Sequence, residues 1–385
     1  MTTAGLFCKS LENQTEPLVY QDYRPSYTTF TENGCNFSID SRYEIEKVLG
    51  KGSYGTVCSA IDTKKVQPDA EYARIAIKKV SNIFNKDILL KRAVRELKFM
   101  RHFKGHRNIV NLIDLDIIYV KPFEGLYCYQ ELADLDLARV VYSNVQFSEF
   151  HIQSFFYQIL CGLKYIHSAD VIHRDLKPGN ILVTTQGNLK ICDFGLARGV
   201  NPKFFKHRSA PITNYVATRW YRAPELMLSD RNYTKAVDLW AMGCILAELY
   251  GRKPLFPGKN QMDQIHSIVK VLGTPPPNVV RKNNWKFQLP PRSQYVTTDW
   301  GDLYPFSSTD AISAIDSLLQ WDPADRPEIS QILAHEYLKG VRDIKCEPEC
   351  PIFDFSFENR ATTTLELRRL LDEEVSTFKK ERRKF

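Results

Sequence analysis

Residues 171–182 read Val-Ile-His-Arg-Asp-Leu-Lys-Pro-Gly-Asn-Ile-Leu and set His173, Arg174, Asp175, Lys177 and Asn180 within eight residues. Polar side chains at that density do not suit a packing surface, so the rest of the chain has to fold around a loop that it holds but does not bury. Pro178 and Gly179 punctuate the loop, which lets the Asp175 carboxylate and the Asn180 amide oxygen face a common point. Lys177 stands between them as a fixed positive charge. A base, a hard oxygen ligand and a cation are what phosphoryl transfer asks of a protein, because that chemistry is mostly positioning and charge stabilisation. The bland alternative, a solvated loop with incidental charges, requires five specified residue types to fall at fixed spacing by chance.

The segments on either side carry complementary signals. A strand pattern over residues 43–48 runs into Gly50, Gly52, Gly55 and Val57, spaced G-x-G-x-x-G-x-V. Glycines there allow a turn and leave backbone N–H groups free to cover phosphates, while Val57 offers an apolar roof for a base. A glycine-rich hairpin turn would look the same in isolation. Residues 74–80 form a strand pattern containing Ile-Ala-Ile-Lys, with Ala76 and Lys78. In the helical pattern over 85–103, Leu89, Ala93, Glu96 and Met100 share one stripe. A carboxylate in an apolar stripe needs a cationic partner, and Lys78 is the natural candidate. Another strand is expected over 126–132, and a helix over 148–167 with Ile152, Phe155 or Phe156, Ile159, Leu163 and Ile166 on one face. Residues 190–195, Lys-Ile-Cys-Asp-Phe-Gly, then bring Asp193 thirteen residues after Asn180. Two oxygen ligands from separate segments suit Mg²⁺, which keeps waters and phosphates as its other ligands.

Composition bounds the remaining choices. A chain of 385 residues with 43% hydrophobic content can form about two domains with a substantial core. No stretch approaches the roughly 18 uninterrupted apolar residues of a membrane span, and the first residues lack a signal-like apolar region, so a soluble intracellular protein is expected. Nine cysteines without paired zinc spacing read as reduced thiols. Aromatic residues do not interleave a basic stripe, which leaves nucleic-acid binding unsupported. The net charge of +7 is partly terminal, in Lys379, Lys380, Arg382, Arg383 and Lys384, which read as a frayed solvated tail or as a nuclear-import or acidic-partner patch. Residues 1–40 show no periodicity and read as a weakly ordered extension. Near the other end, Thr363 and Glu366 form a capping box ahead of an apolar face made by Leu367, Leu370, Leu371, Val375 and Phe378. That helix could pack on the chain itself or bind a partner.

The catalytic-loop pattern H-R-D-L-x-x-x-N is matched at every specified position, and with the glycine run, Lys78, Asp193-Phe194-Gly195 and Ala223-Pro224-Glu225 the chain resembles a protein kinase. The resemblance implies an α+β, bilobal fold, with a strand-rich small lobe over 41–133 and a helical large lobe over 134–338. It implies ATP and Mg²⁺ as cofactors. Asp175 would orient a protein Ser or Thr hydroxyl and accept its proton, Lys177 would stabilise the transferring group, and Asn180 with Asp193 would hold the metal. Lys78 would reach the phosphates and pair with Glu96. Ala76, Gln130 as gatekeeper, Glu131 and Ala133 at the hinge, Asp136 at the ribose and Leu182 would complete the nucleotide site. Lys177 and Thr218 follow the serine/threonine pattern. Asp238 would anchor the catalytic loop, and Arg326 would pair with Glu225.

Thr213-Asn214-Tyr215, within the activation loop 193–225, looks like the dual phosphorylation site of a MAP kinase, and the chain is most similar to the fungal sporulation-type class. By that resemblance Arg95, Arg174 and Arg198 would hold phosphorylated Thr213, and Arg219 and Arg222 phosphorylated Tyr215. Two phosphates clamped by arginines could order the loop. Asn214 departs from the Glu, Gly or Pro of better-known classes. An insert over about 255–303 and an extension over 339–385 that packs back on the small lobe also fit. The resemblance implies Ser/Thr-Pro protein substrates, an upstream activating kinase, docking peptides held weakly by a patch reduced to Asp343 and Glu347, and residence in cytoplasm and nucleus. A kinase-like scaffold without catalysis and a cyclin-dependent kinase are the rivals; retention of Lys78, Asp175 and Asp193 speaks against the first, and Thr213-Asn214-Tyr215 against the second.

Overall fold

The computed structural model describes residues 27–52, 55–65, 73–201, 218–229, 234–286, 297–361 and 363–382. Thr213 and Tyr215 lie outside them. Order begins earlier than the sequence reading placed it. β1 (Tyr27–Glu32) and β2 (Cys35–Asp40) pair antiparallel across Asn33-Gly34, whose φ angles of 51° and 72° are those a tight hairpin requires. The expectation of a weakly ordered extension therefore fails for 27–40. Cys35, Phe37 and Ile39 bury one face of β2 against Tyr127 and Tyr129, and the Tyr127 hydroxyl accepts the Ser38 N–H at 3.3 Å.

The small lobe is an antiparallel sheet of β3 (Tyr43–Gly52), β4 (Gly55–Asp62), β5 (Arg74–Val80), β6 (Leu112–Ile118) and β7 (Gly125–Glu131), in the order β3-β4-β5-β7-β6. α1 (Asp87–His102) crosses between β5 and β6. Its face of Leu90, Ala93, Val94, Leu97 and Met100 is buried, and Glu96 is buried among them. Within the glycine run Gly55 has a steric reason: a Cβ there would stand 2.1 Å from the Lys79 carbonyl oxygen, whereas one on Gly50 would meet nothing within 4 Å.

The large lobe starts with β8 (Leu135–Asp136), α2 (Leu137–Val141) and α3 (Glu149–Ser168), which is capped by Ser148. On α3 Phe156 is fully buried and Phe155 only partly. Four short strands follow: β9 (Val171–Ile172), β10 (Ile181–Val183), β11 (Leu189–Ile191) and β12 (Arg198–Gly199). Pairing of β9 with β12, and of β10 with β11 and β8, frames the loops that carry Asp175 and Asp193. After α4 (Glu225–Leu228), α5 (Ala236–Gly251) is buried on every side, as its nearly continuous apolar run requires. Around it lie α6 (Gln261–Leu272), α7 (Pro277–Lys282), α8 (Trp300–Leu303), α9 (Thr309–Leu318) and α10 (Ile329–Leu333). Arg326 makes a two-pronged pair with Glu225, at 2.6 and 2.9 Å, beneath the Trp240 ring.

The chain then returns to the small lobe through α11 (Phe357–Arg360) and α12 (Thr364–Arg382). Thr363 and Glu366 cap each other reciprocally at 3.0 and 3.3 Å. Leu367, Leu371, Val375 and Phe378 are buried against α1 and β6. α12 continues through the start of the basic tail, and Lys379 pairs with Asp116 at 3.2 Å, so this residue is held and not frayed. Every described cysteine is a free thiol, and no described helix is long and apolar enough to cross a membrane. Replacing Phe37 with Ala should remove about 3 kcal/mol of stability, read as a lower thermal midpoint, while Thr29→Ala on the exposed face of the same hairpin should leave that midpoint unchanged.

Candidate active site

A cavity of about 430 Å³ lies between the two lobes. Its walls include Gly50, Gly52, Gly55 and Val57 from β3 and β4, Ala76 and Lys78 from β5, and Gln130, Glu131 and Ala133 from the end of β7 and the connector. Asn180, Leu182 and Asp193 close it from the large lobe, and Glu96 from α1. The Gln130 amide donates to the Met100 sulfur at 3.0 Å. Glu131 turns its side chain away, accepting the Asn111 N–H at 2.7 Å and pairing with Lys190 at 3.0 Å, so only its backbone can serve a ligand. Arg92, Cys192 and Leu132 also line the cavity, and the sequence reading missed them. Arg92 was legible as the position four before Glu96 on the same helix face.

Lys78 Nζ lies 2.6 Å from Glu96 and 3.5 Å from Asp193, joining β5, α1 and the loop after β11. Burial alone would lower the Lys78 ammonium; Asp193 and Glu96 more than reverse this and raise it. Lys78 in turn holds the Asp193 carboxyl down to about 2 against burial, with Arg92 acting in the same sense. Asp193 sits at φ 64°, a left-handed conformation uncommon for a non-glycine residue, and its carboxylate accepts the Gly195 N–H at 3.3 Å. Burial takes the neighbouring Cys192 thiol up to about 12, which leaves it protonated at neutral pH.

The catalytic loop is fastened from below. Both Asp238 carboxylate oxygens accept backbone N–H groups at 2.8 Å, one from His173 and one from Arg174, and His167 Nε2 lies 2.9 Å away. Arg174 is itself at φ 68°. Above that anchor, the Asp175 carboxylate accepts from Lys177 Nζ and from the Asn180 amide nitrogen, both at 2.8 Å. The Asn180 amide nitrogen is therefore committed to Asp175, and its oxygen is the group left to face a ligand. The Asn180 backbone carbonyl accepts the Cys192 N–H at 3.0 Å, tying this loop to the one bearing Asp193. Among the described residues no cluster of three or more His, Cys, Asp or Glu side chains forms a complete metal cage. Two hard oxygen donors that leave most positions open nevertheless fit Mg²⁺.

Three expected residues sit elsewhere. Asp136 is not in the cavity wall: its carboxylate caps α2 through the Arg139 N–H at 2.9 Å and pairs with the Arg139 side chain at 3.4 Å. Thr218 is exposed, and no hydrogen bond joins it to Asp175 or Lys177 among the described residues. Arg95 is already engaged, in a two-pronged pair with Glu358 of α11 that includes a 2.8 Å contact, so as described it is not presented to a phosphate. Arg198 also acts electrostatically on Glu358, whereas Arg174 shares its neighbourhood with Arg219 and Arg222 beside Asp175. Burial and the repulsion of Arg219 and Arg174 lower the Arg222 guanidinium, and Asp175 opposes this. The acidic patch is thinner than expected. Glu347 is buried between Arg342 at 2.8 Å and Lys164 at 3.6 Å, so its charge is spent internally and only Asp343 can offer one outward.

A two-lobed α+β fold with a nucleotide-sized cleft, a lysine–glutamate pair on one side and an anchored Asp-Lys-Asn loop on the other defines a protein kinase. Residues 43–338 match the protein kinase domain family. The chain is 57% identical over 352 residues to the sporulation-specific mitogen-activated protein kinase SMK1 of Saccharomyces cerevisiae, covering 89% of this chain and 90% of that one. It is 45% identical to the mitogen-activated protein kinases SLT2/MPK1 of the same yeast and MPS1 of Pyricularia oryzae, covering 91% and 89% of this chain and 72% and 82% of theirs. The chain belongs to the MAP kinase family and is a serine/threonine protein kinase.

Exchanging Lys78 for Met should destabilise the fold most at neutral pH, because it strands the carboxylates of Glu96 and Asp193. A carboxyl depressed to about 2 contributes stability above the unfolded value of about 4 and loses it as pH falls toward 2. The difference between wild type and Lys78→Met in denaturant midpoint should therefore hold from neutral pH down to about 4 and narrow as the pH is lowered from about 4 toward 2.

Proposed function

We propose that this kinase is proline-directed, transfers the ATP γ-phosphoryl group to Ser or Thr in Ser/Thr-Pro sites, and is switched on by an upstream kinase through phosphorylation of Thr213 and Tyr215. The observation that carries the chemistry is the convergence of Lys177 and Asn180 on the Asp175 carboxylate, with Asn180 and Asp193 lining the large-lobe side of a cleft that Lys78 enters from the small lobe. In this reading Asp175 orients the acceptor hydroxyl and takes its proton. Lys177 stabilises charge on the group in flight. Lys78, held by Glu96, steadies the nucleotide phosphates. Asn180 and Asp193 would hold Mg²⁺, which when bound neutralises phosphate charge. Gly50 and Gly52, at the end of β3, leave room for phosphates, since a Cβ would meet nothing within 4 Å at Gly50 and only the Gly55 carbonyl oxygen, at 3.9 Å, at Gly52.

The Arg174, Arg219 and Arg222 cluster supports an anion site for the modified loop, since three guanidiniums crowded beside one aspartate gain most from added negative charge. The order Thr213-Asn214-Tyr215 and the 57% identity to a protein named as sporulation-specific support a role in fungal sporulation or developmental signalling. Residence in both cytoplasm and nucleus fits the basic terminus. Docking peptides would bind weakly, because Asp343 is left without Glu347 as an outward charge.

Asp175→Asn should lower phosphate transfer to a Ser/Thr-Pro peptide with Mg²⁺ and ATP by roughly 10²–10⁴-fold. Thr213→Ala/Tyr215→Phe should abolish the gain that treatment with an activating kinase gives the wild type. If activated wild type transfers no faster than Asp175→Asn, the chain works without catalysis.

A further inference from the structure

α1 faces two sites at once. Glu96 points to Lys78 in the cleft, and the adjacent Arg95 points to the C-terminal extension, where Glu358 receives it with both carboxylate oxygens. Lys91, one turn earlier, adds an ion pair to the same carboxylate at 3.4 Å, and Arg198, five residues past Asp193, acts on it electrostatically. The Arg95 and Glu358 side chains are only 10% and 11% exposed, so neither charge can fall back on water. Burial alone would raise the Glu358 carboxyl; hydrogen bonding to Arg95, with the charges of Arg95, Lys91 and Arg198, holds it below the usual range instead. An anion is thus seated among cations from both α1 and the segment after Asp193, and it comes from this chain's own extension.

We propose that Glu358 is a positioning residue for phosphoryl transfer: through Arg95 it holds α1 where Glu96 meets Lys78, occupying a cationic seat that suits a phosphoryl group equally well. The proposal rests on the reading that phosphate on the activation segment switches this kinase. Glu358 acts as the stand-in anion before that phosphate is present, and a phosphate dianion, with more charge and more acceptor oxygens than a carboxylate, can take the seat afterwards. The unphosphorylated chain therefore keeps a formed Lys78–Glu96 pair and a basal activity that depends on Glu358.

The test uses the full chain in phosphatase-treated and activator-treated forms, as wild type, Glu358→Gln, Glu358→Asp, Arg95→Gln and the Glu358→Gln/Arg95→Gln double variant. Two readouts are taken: peptide phosphorylation, and amide hydrogen exchange across residues 87–102, which needs no turnover. In the phosphatase-treated form Glu358→Gln should lower kcat by roughly tenfold or more, leave the KM for ATP within about twofold, and speed exchange in α1. Glu358→Asp should restore part of both, and the double variant should be no worse than Arg95→Gln alone, the signature of one shared contact. After activator treatment the Glu358→Gln defect should shrink, because phosphate fills the seat. Additive losses in the double variant, or exchange in α1 that Glu358→Gln leaves at the wild-type rate, would overturn the proposal. A Glu358→Gln defect of the same size in both phosphorylation states would overturn it too, reducing Glu358 to a passive brace. Wild type that activator treatment fails to stimulate would count against the phosphorylation switch itself, while the exchange rates and the double variant would still decide whether Glu358 positions α1.

Discussion

A single buried carboxylate sets the geometry on which the rest of the site depends. Asp238 is carried into the middle of the large lobe by α5, a helix with no solvent face, and is only 1% exposed. Burial would push such a group toward its neutral form, yet hydrogen bonding from His167 and from the Arg174 backbone holds its carboxyl below the ordinary value. Each charge-assisted bond of this kind is worth about 1.5–3 kcal/mol. That is enough to keep Arg174 in a left-handed conformation that its side chain disfavours, and so to fix the next residue, Asp175, where Lys177 and Asn180 meet its carboxylate. The Glu225–Arg326 pair extends the same logic to the end of the activation segment.

The small lobe is organised around a different pair, Lys78 with Glu96, and this pair is less self-sufficient because it depends on where α1 sits. α1 is packed on one side against the sheet and on the other against the returning chain. Lys98 and Arg101 pair with Glu374, Phe99 meets Phe353 at a tilt and Phe355 edge-on, and Thr364 bonds Asp87 at the helix start. The extension is thus part of the small lobe's architecture, and the position of a catalytic-site carboxylate is set partly by residues more than 250 positions further along the chain.

Much of this was legible from residue order alone, because the loop 171–182, the glycine run and Asp193 are local patterns whose chemistry needs fixed spacing. β5, α1, α3 and the terminal apolar face follow from period and capping. What escaped was of two kinds. The hairpin 27–40 carries its signal in Asn33-Gly34 and in Cys35, Phe37 and Ile39, but the stretch is short and its polar neighbours dilute the alternation. The pairing of Arg95 with Glu358 and the burial of Glu347 between Arg342 and Lys164 have no local signature, since each joins charges that only the folded chain brings together. Resemblance put Arg95 at a phosphate and Asp136 at a ribose; here a carboxylate and a helix end engage them first.

The most direct test of the buried-anchor account is the kinetics of Asp238→Asn. An amide keeps one acceptor oxygen and turns the other into a donor aimed at a backbone N–H, so the anchor is halved without a change of size. The expected result is a fall in kcat for peptide phosphorylation of roughly 10–100-fold with the KM for ATP nearly unchanged and the small-lobe hydrogen exchange preserved. A kcat equal to that of wild type in a folded Asp238→Asn protein would contradict the account, because the loop would then hold Asp175 without its anchor.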